Sequence, residues 1–122
     1  MKKVDKVSIS ELKELSKKMM DDIVKADVDV EKEVVVIDAP LHVDLETYLL
    51  EEGSESKDIW GINLHPYEYG TEKFIEFDSM INLKPREGNR SRYVEDENIR
   101  EKIIEIVNEV IIDAWYKLRL LE

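Results

Sequence analysis

Three stretches of this chain hold side chains that could do chemistry. The first, Leu41-His42-Val43-Asp44-Leu45-Glu46, sets an imidazole close to two carboxylates. If a helix already includes His42, then His42 and Glu46 stand four apart on one face, a spacing used for metal ligands, while Asp44 points elsewhere. Asp44 has a second role open to it. As an N-cap, its carboxylate would accept backbone N–H bonds and meet the positive end of the helix.

The second stretch is a pair of apolar segments, Ile59 to His65, stopped by Pro66, and Phe74 to Leu83, stopped by Pro85. Setting His65 opposite Phe74 makes Leu64 meet Ile75, Ile62 meet Phe77 and Trp60 meet Ser79, which gathers apolar residues on one face. The other face then carries His65, Asn63 and Gly61 beside Phe74, Glu76 and Asp78, with Asn82 further along. Such a set could coordinate a hard or borderline cation, or supply general acid and base groups. A solvated outer face of an antiparallel sheet has the same polarity. The register leaves Ser79 on the apolar face, where a buried structural serine is expected rather than a nucleophile.

The third stretch is Lys84-Pro85-Arg86-Glu87-Gly88-Asn89-Arg90-Ser91-Arg92, a local charge of +3 within a total of −11, so that the remainder carries −14. Gly88-Asn89 signals a turn, and Arg90 and Arg92 would supply bidentate donors to a phosphate or carboxylate. The same arginines could instead pair with the protein's own abundant carboxylates.

These segments need elements to hold them. Ser10 and Glu11 open a helix whose apolar positions Leu12, Leu15, Met19, Met20 and Ile23 share one stripe. Ala26, Val28 and Val30 then alternate with Asp27, Asp29 and Glu31, predicting a half-solvated strand, and Val34 to Ile37 returns as a more buried one. The Glu-Lys turn between them lacks an Asn-Gly signal. A short helix follows Pro40, with Leu41, Leu45 and Leu49 four apart and Gly53 at C′. A long final helix from about Asp96 carries Ile99, Ile103, Ile106, Val107, Val110, Ile111, Ala114, Trp115 and Leu118 on one stripe.

The order is therefore α-β-β-α-β-β-α in one domain over 1–122. The expected fold is α+β, with a four-stranded, mainly antiparallel sheet and helices packed on one face. Register and helix stripe together select Trp60, Ile62, Phe77, Ile81, Ile103, Val107 and Ile111 as a common core.

Composition narrows the classes of function. There is no cysteine, which excludes a disulfide framework, a thiolate metal site and a thiol nucleophile. A net charge of −11 repels polyanions and argues against a nucleic-acid coat protein. No apolar run approaches the length that spans a bilayer, and no signal-like segment opens the chain, so the expectation is a cytoplasmic protein with no membrane partner. The lack of glutamine beside abundant Lys, Glu and Asp matches a thermophile's bias. The motifs GxGxxG, GxSxG and HExxH and the P-loop are all missing.

Four motifs taken together, Leu41-His42-Val43-Asp44-Leu45-Glu46, Trp60-Gly61-Ile62-Asn63, Ile75-Glu76-Phe77-Asp78-Ser79-Met80-Ile81-Asn82 and Gly88-Asn89-Arg90-Ser91-Arg92, carry a resemblance. Over roughly 25–110 the chain resembles a short prokaryotic family described only as a domain of unknown function. The resemblance picks out His42, Asp44, Glu46, Asn63, Asp78, Asn89 and Arg90 and implies no reaction. Ala39-Pro40, Arg86-Glu87 and Tyr93 depart from the family pattern.

The leading functional expectation is a small binding module that captures an anionic, phosphate-like ligand through the Arg86–Arg92 loop. Its ligand-binding set is His42, Asn63, Asp78, Asn82, Asn89, Arg90 and Arg92. The enzyme alternative is a phosphoester hydrolase with a divalent metal on His42, Asp44, Glu46 and Asp78. A third class has no small ligand, and the acidic surface docks a protein partner or a second copy of the chain.

Overall fold

A computed structural model describes residues 2–19 and 21–112. The expected helical positions Met20, Ala114, Trp115 and Leu118 lie outside the described residues. The fold is α+β, and among the described residues its main sheet has five strands rather than four. In chain order these are β1 (Lys2–Val4), β3 (Val24–Asp29), β4 (Val34–Ile37), β5 (Ile59–Leu64) and β6 (Ile75–Glu76), running β1-β4-β3-β5-β6 across the sheet. All four pairings are antiparallel. Two further short strands, β2 (Val7–Ser8) and β7 (Ile111–Ile112), form a separate parallel ladder. Among the described residues, no helix is long and apolar enough to cross a membrane.

The helices are α1 (Ile9–Ser16), α2 (His42–Glu51) and α3 (Glu97–Val110). Ser8, not Ser10, caps α1, its hydroxyl accepting the Glu11 N–H at 3.0 Å. The helix is shorter than the apolar spacing suggests, because the stripe continues past Ser16 into a turn. Asp96 caps α3, which ends at Val110, where Ile111 takes an extended conformation and enters β7. The Glu-Lys turn works without Asn-Gly because the Asp29 carboxylate accepts the N–H groups of Glu31 and Lys32, both at 2.9 Å.

The helices do not share one face of the sheet. Leu12 of α1 and Ile103, Ile106 and Val107 of α3 pack with Val24, Ala26, Val28, Trp60, Ile62 and Leu64. Leu45 and Leu49 of α2 pack with Val36 and Ile59 on the opposite side. This corrects the half-solvated reading of β3, whose alternation is right but whose Asp27 and Asp29 are buried under α2. Of the expected core set, Trp60, Ile62, Ile103, Val107 and Ile111 are buried together and half-buried Phe77 packs against them, but Ile81 lands on the α2 side.

Candidate functional site

The β5–β6 register matches the expected one, with Leu64 opposite Ile75, Asn63 opposite Glu76, and the His65 N–H donating to Phe74 O at 2.8 Å. Regular pairing stops at Glu76, so Ser79 is not held opposite Trp60. It is buried against Gly61, on the polar side of the sheet, and its hydroxyl accepts the Ile81 N–H.

Helix α2 begins one residue after Pro40-Leu41, with Leu41 as an N-cap that makes no side-chain bond. His42 therefore opens the helix. Asp44 is not its N-cap but sits in the first turn, where a carboxylate still favours the positive helix end. With Leu45 and Leu49 pinned to the sheet, His42 is laid between two strands. Its Nδ1 is 2.9 Å from Asp27 Oδ1 and its Nε2 is 2.9 Å from Asn63 Oδ1.

The protons follow from the partners. Asn63 Nδ2 donates to Glu76 Oε1 at 2.9 Å and to Asp78 O at 3.1 Å, so the amide oxygen is the atom that faces His42. Nε2 of His42 then carries the hydrogen that Asn63 accepts, and Nδ1 faces Asp27 Oδ1. Asp27 has a solvent exposure of 0%, and its other oxygen, Oδ2, is buried with no hydrogen-bond partner among the described residues. Burial pushes the Asp27 carboxyl up to about 6, opposed by the hydrogen bond and charge of His42, reinforced by Glu46 and opposed by Lys84.

From Asn63 the hydrogen bonds lead outward. His65 Nε2 lies 3.3 Å from Glu76 Oε1, and Arg92 Nε donates to Asp78 Oδ1 at 2.7 Å. These four side chains line a cleft of about 890 Å³ beside β6. A second recess of about 480 Å³ shares Glu72, Ile75 and Phe77 with the cleft and reaches exposed Ile104 on α3. Glu68, Glu72, Glu76 and Asp78 outnumber Lys73 and Arg92 around the cleft, which makes it acidic. Tyr93, exposed, meets Phe77 edge-on at 6.3 Å between ring centroids.

The basic segment folds onto itself. Asn82 is fully buried and takes the place of a strand partner for Gly61, accepting its N–H at 2.8 Å and donating to its C=O at 3.0 Å. Asn89 Nδ2 donates to the carbonyls of Asn82, Ser91 and Tyr93, and its Oδ1 accepts the Glu95 N–H. Gly88 holds φ at +80°, the left-handed turn its position required. The anion already in this loop is Glu95, which accepts from the Arg90 N–H at 3.2 Å and from the Ser91 hydroxyl at 2.6 Å.

Of the expected ligand-binding residues, His42, Asn63, Asp78 and Arg92 thus lie along one connected path from the interior to the cleft. Asn82 spends its amide chiefly on the Gly61 backbone of β5, Asn89 spends its own inside the loop, and Arg90 does not line the cleft. Of the expected metal set, His42 reaches Asp27 and Asn63, Asp78 reaches Arg92, and Glu46 acts on Asp27 only through its charge. Among the described residues, no three His, Asp or Glu side chains come together in a way that could hold a metal ion. Asp27 was not singled out from the sequence, because its alternation with valines and alanine reads as a solvent-facing position.

A family model described as "protein of unknown function (DUF5674)" matches residues 3–110. No curated protein and no solved structure matches the chain.

Proposed function

Because the chain belongs to this family, whose description assigns no activity, we propose a function from the site itself: a binding module that takes an extended, basic and apolar peptide along β6. The observation that carries this reading is that β6 is an edge strand with no further strand beside it among the described residues, and the acidic cleft lies next to it. Glu76 pairs with Asn63, so by antiparallel alternation the N–H and C=O of Ile75 turn away from β5 toward the cleft. An added strand would bond to them, set apolar side chains over Ile75 and Phe77, and point basic ones at the four carboxylates.

The test is an NMR titration with the acetylated peptide Lys-Val-Lys-Val-Lys-Val and its glutamate counterpart. The Ile75, Glu76 and Phe77 amides should shift with the lysine peptide only. Reversing Glu72 or Glu76 to Lys should weaken binding about tenfold at low salt. Equal response to both peptides, no response, or shifts that follow protein concentration without peptide would each overturn the reading.

Capture of an anion by the Arg86–Arg92 segment is the second reading. What favours it is that the Arg86 and Arg90 guanidinium groups are exposed and make no ion pair among the described residues. Metal-dependent hydrolysis has no comparable support in the described side chains.

A further inference from the structure

Beyond the cleft, a separate recess of about 540 Å³ lies where the basic segment leaves the sheet. Apolar Ile81 and Leu83 line it together with Lys84, Lys57 and Arg86, and Glu46 and Glu87 are the carboxylates on its wall. Lys84 differs from the other lysines there. It is 9% exposed, has no ion-pair partner among the described residues, and its Nζ stands 5.4 Å from the centre of the Trp60 ring. Lys57, by contrast, is exposed and shares its charge with Glu55 and Asp58.

The indole face attracts the ammonium group, but burial strips its hydration, and among the described residues no carboxylate forms an ion pair with it. Burial accordingly lowers the Lys84 pKa from the ordinary lysine value, with the charges of Glu46, Asp27 and Glu87 opposing that shift. A lysine in such surroundings presents more of the neutral amine, the form that attacks carbonyl carbon. Arg86, exposed on the same wall and without an ion pair among the described residues, supplies a donor for an anionic group on the incoming molecule.

We propose that Lys84 is an attachment site for a small carbonyl compound bearing a carboxylate or phosphate, held as an imine in the recess with its anionic group on Arg86. The amine lone pair forms the C–N bond, and the carbonyl oxygen leaves as water with the two hydrogens of the neutral amine. Aldehyde plus amine therefore gives imine plus water, with no change of oxidation state. Lys57 adds positive charge at the mouth, and Ile81 and Leu83 keep the new C=N bond from free exchange with bulk water.

The probe is glyoxylate with sodium cyanoborohydride near neutral pH, the reductant adding hydride to the imine carbon so that the adduct survives peptide mapping. Acetaldehyde serves as the uncharged control. In the wild type, glyoxylate should modify Lys84 at least about fivefold faster than the average exposed lysine, and acetaldehyde should show a smaller preference. Arg86→Gln should cut glyoxylate labelling of Lys84 about threefold or more while leaving other lysines and acetaldehyde labelling unchanged. The mapping is done on wild type and on a surface variant, so it does not depend on a Lys84 substitution that folds. Labelling of Lys84 no faster than that of surface lysines would overturn the proposal. So would an unchanged glyoxylate rate in Arg86→Gln.

Discussion

Ser79 packs directly on the bare Cα of Gly61: a Cβ at position 61 would lie 2.6 Å from Ser79 Cβ and 2.7 Å from its Oγ, with Ile81 Cγ1 at 3.0 Å. Gly61 is also the residue whose backbone is bonded by Asn82, so it cannot move aside freely. Gly61→Ala should cost about 1–3 kcal/mol through overpacking. In chemical denaturation the midpoint should fall with an unchanged slope, and a Ser79→Gly background should recover most of the loss. An unaltered midpoint in Gly61→Ala would mean that the contact is not tight in solution.

The buried Asp27 carboxyl makes a prediction about pH. Its folded-state pKa of about 6 lies above the ordinary aspartate value, so the folded protein holds this proton more tightly than the unfolded chain does. The resulting stabilisation is complete below about pH 4 and is lost as pH rises through about 6, a change of about 2–3 kcal/mol. Asp27→Asn removes this titration while other carboxylates titrate in both proteins. The stability difference, wild type minus variant, should therefore fall between about pH 4 and pH 6 and level off above it. A difference that rises with pH over that window would mean that the His42 interaction outweighs desolvation.

Asn89 is predicted to be the residue on which the basic loop depends. Its amide group satisfies three carbonyls and one N–H, so truncation strands several buried groups at once. Asn89→Ala should cost about 2–4 kcal/mol. Asn89→Asp should be no milder, since it turns the donor facing three carbonyls into an acceptor. Urea denaturation of both variants checks this, and an aspartate variant as stable as wild type would contradict the bonding scheme.

Much of this arrangement was legible in the residues. Pro66 follows the end of β5, the apolar match of Leu64 with Ile75 chose the β5–β6 register, and Gly53 and Gly88 marked left-handed turns, whereas the strand expected to run on to Pro85 ends at Glu76. The failures have physical causes. Lys2–Val4 and Val7–Ser8 are too short for alternation to show, yet pairing with β4 and β7 makes them strands. Asp27 and Asp29 looked solvated because local alternation reports only that two faces differ, while burial of the polar face depends on where α2 packs. At the site, His42, Asn63 and Asp78 were identifiable by type, but their direct bonds to one another, and the added partners Asp27 and Glu76, arise from cross-strand neighbours rather than sequence spacing. The arginines drew attention to an anion, and the loop supplies one of its own in Glu95.

The parallel ladder of β2 and β7 joins Val7 to Ile111 and Ser8 to Ile112, across nearly every other described element. Closing so large a loop sacrifices chain entropy for only two residue pairs, so the ladder gains little until the sheet and α3 are already in place. It is then a late event in folding and an early one in opening. Whatever stability this small seam adds is then expected to slow unfolding and leave the folding rate almost untouched.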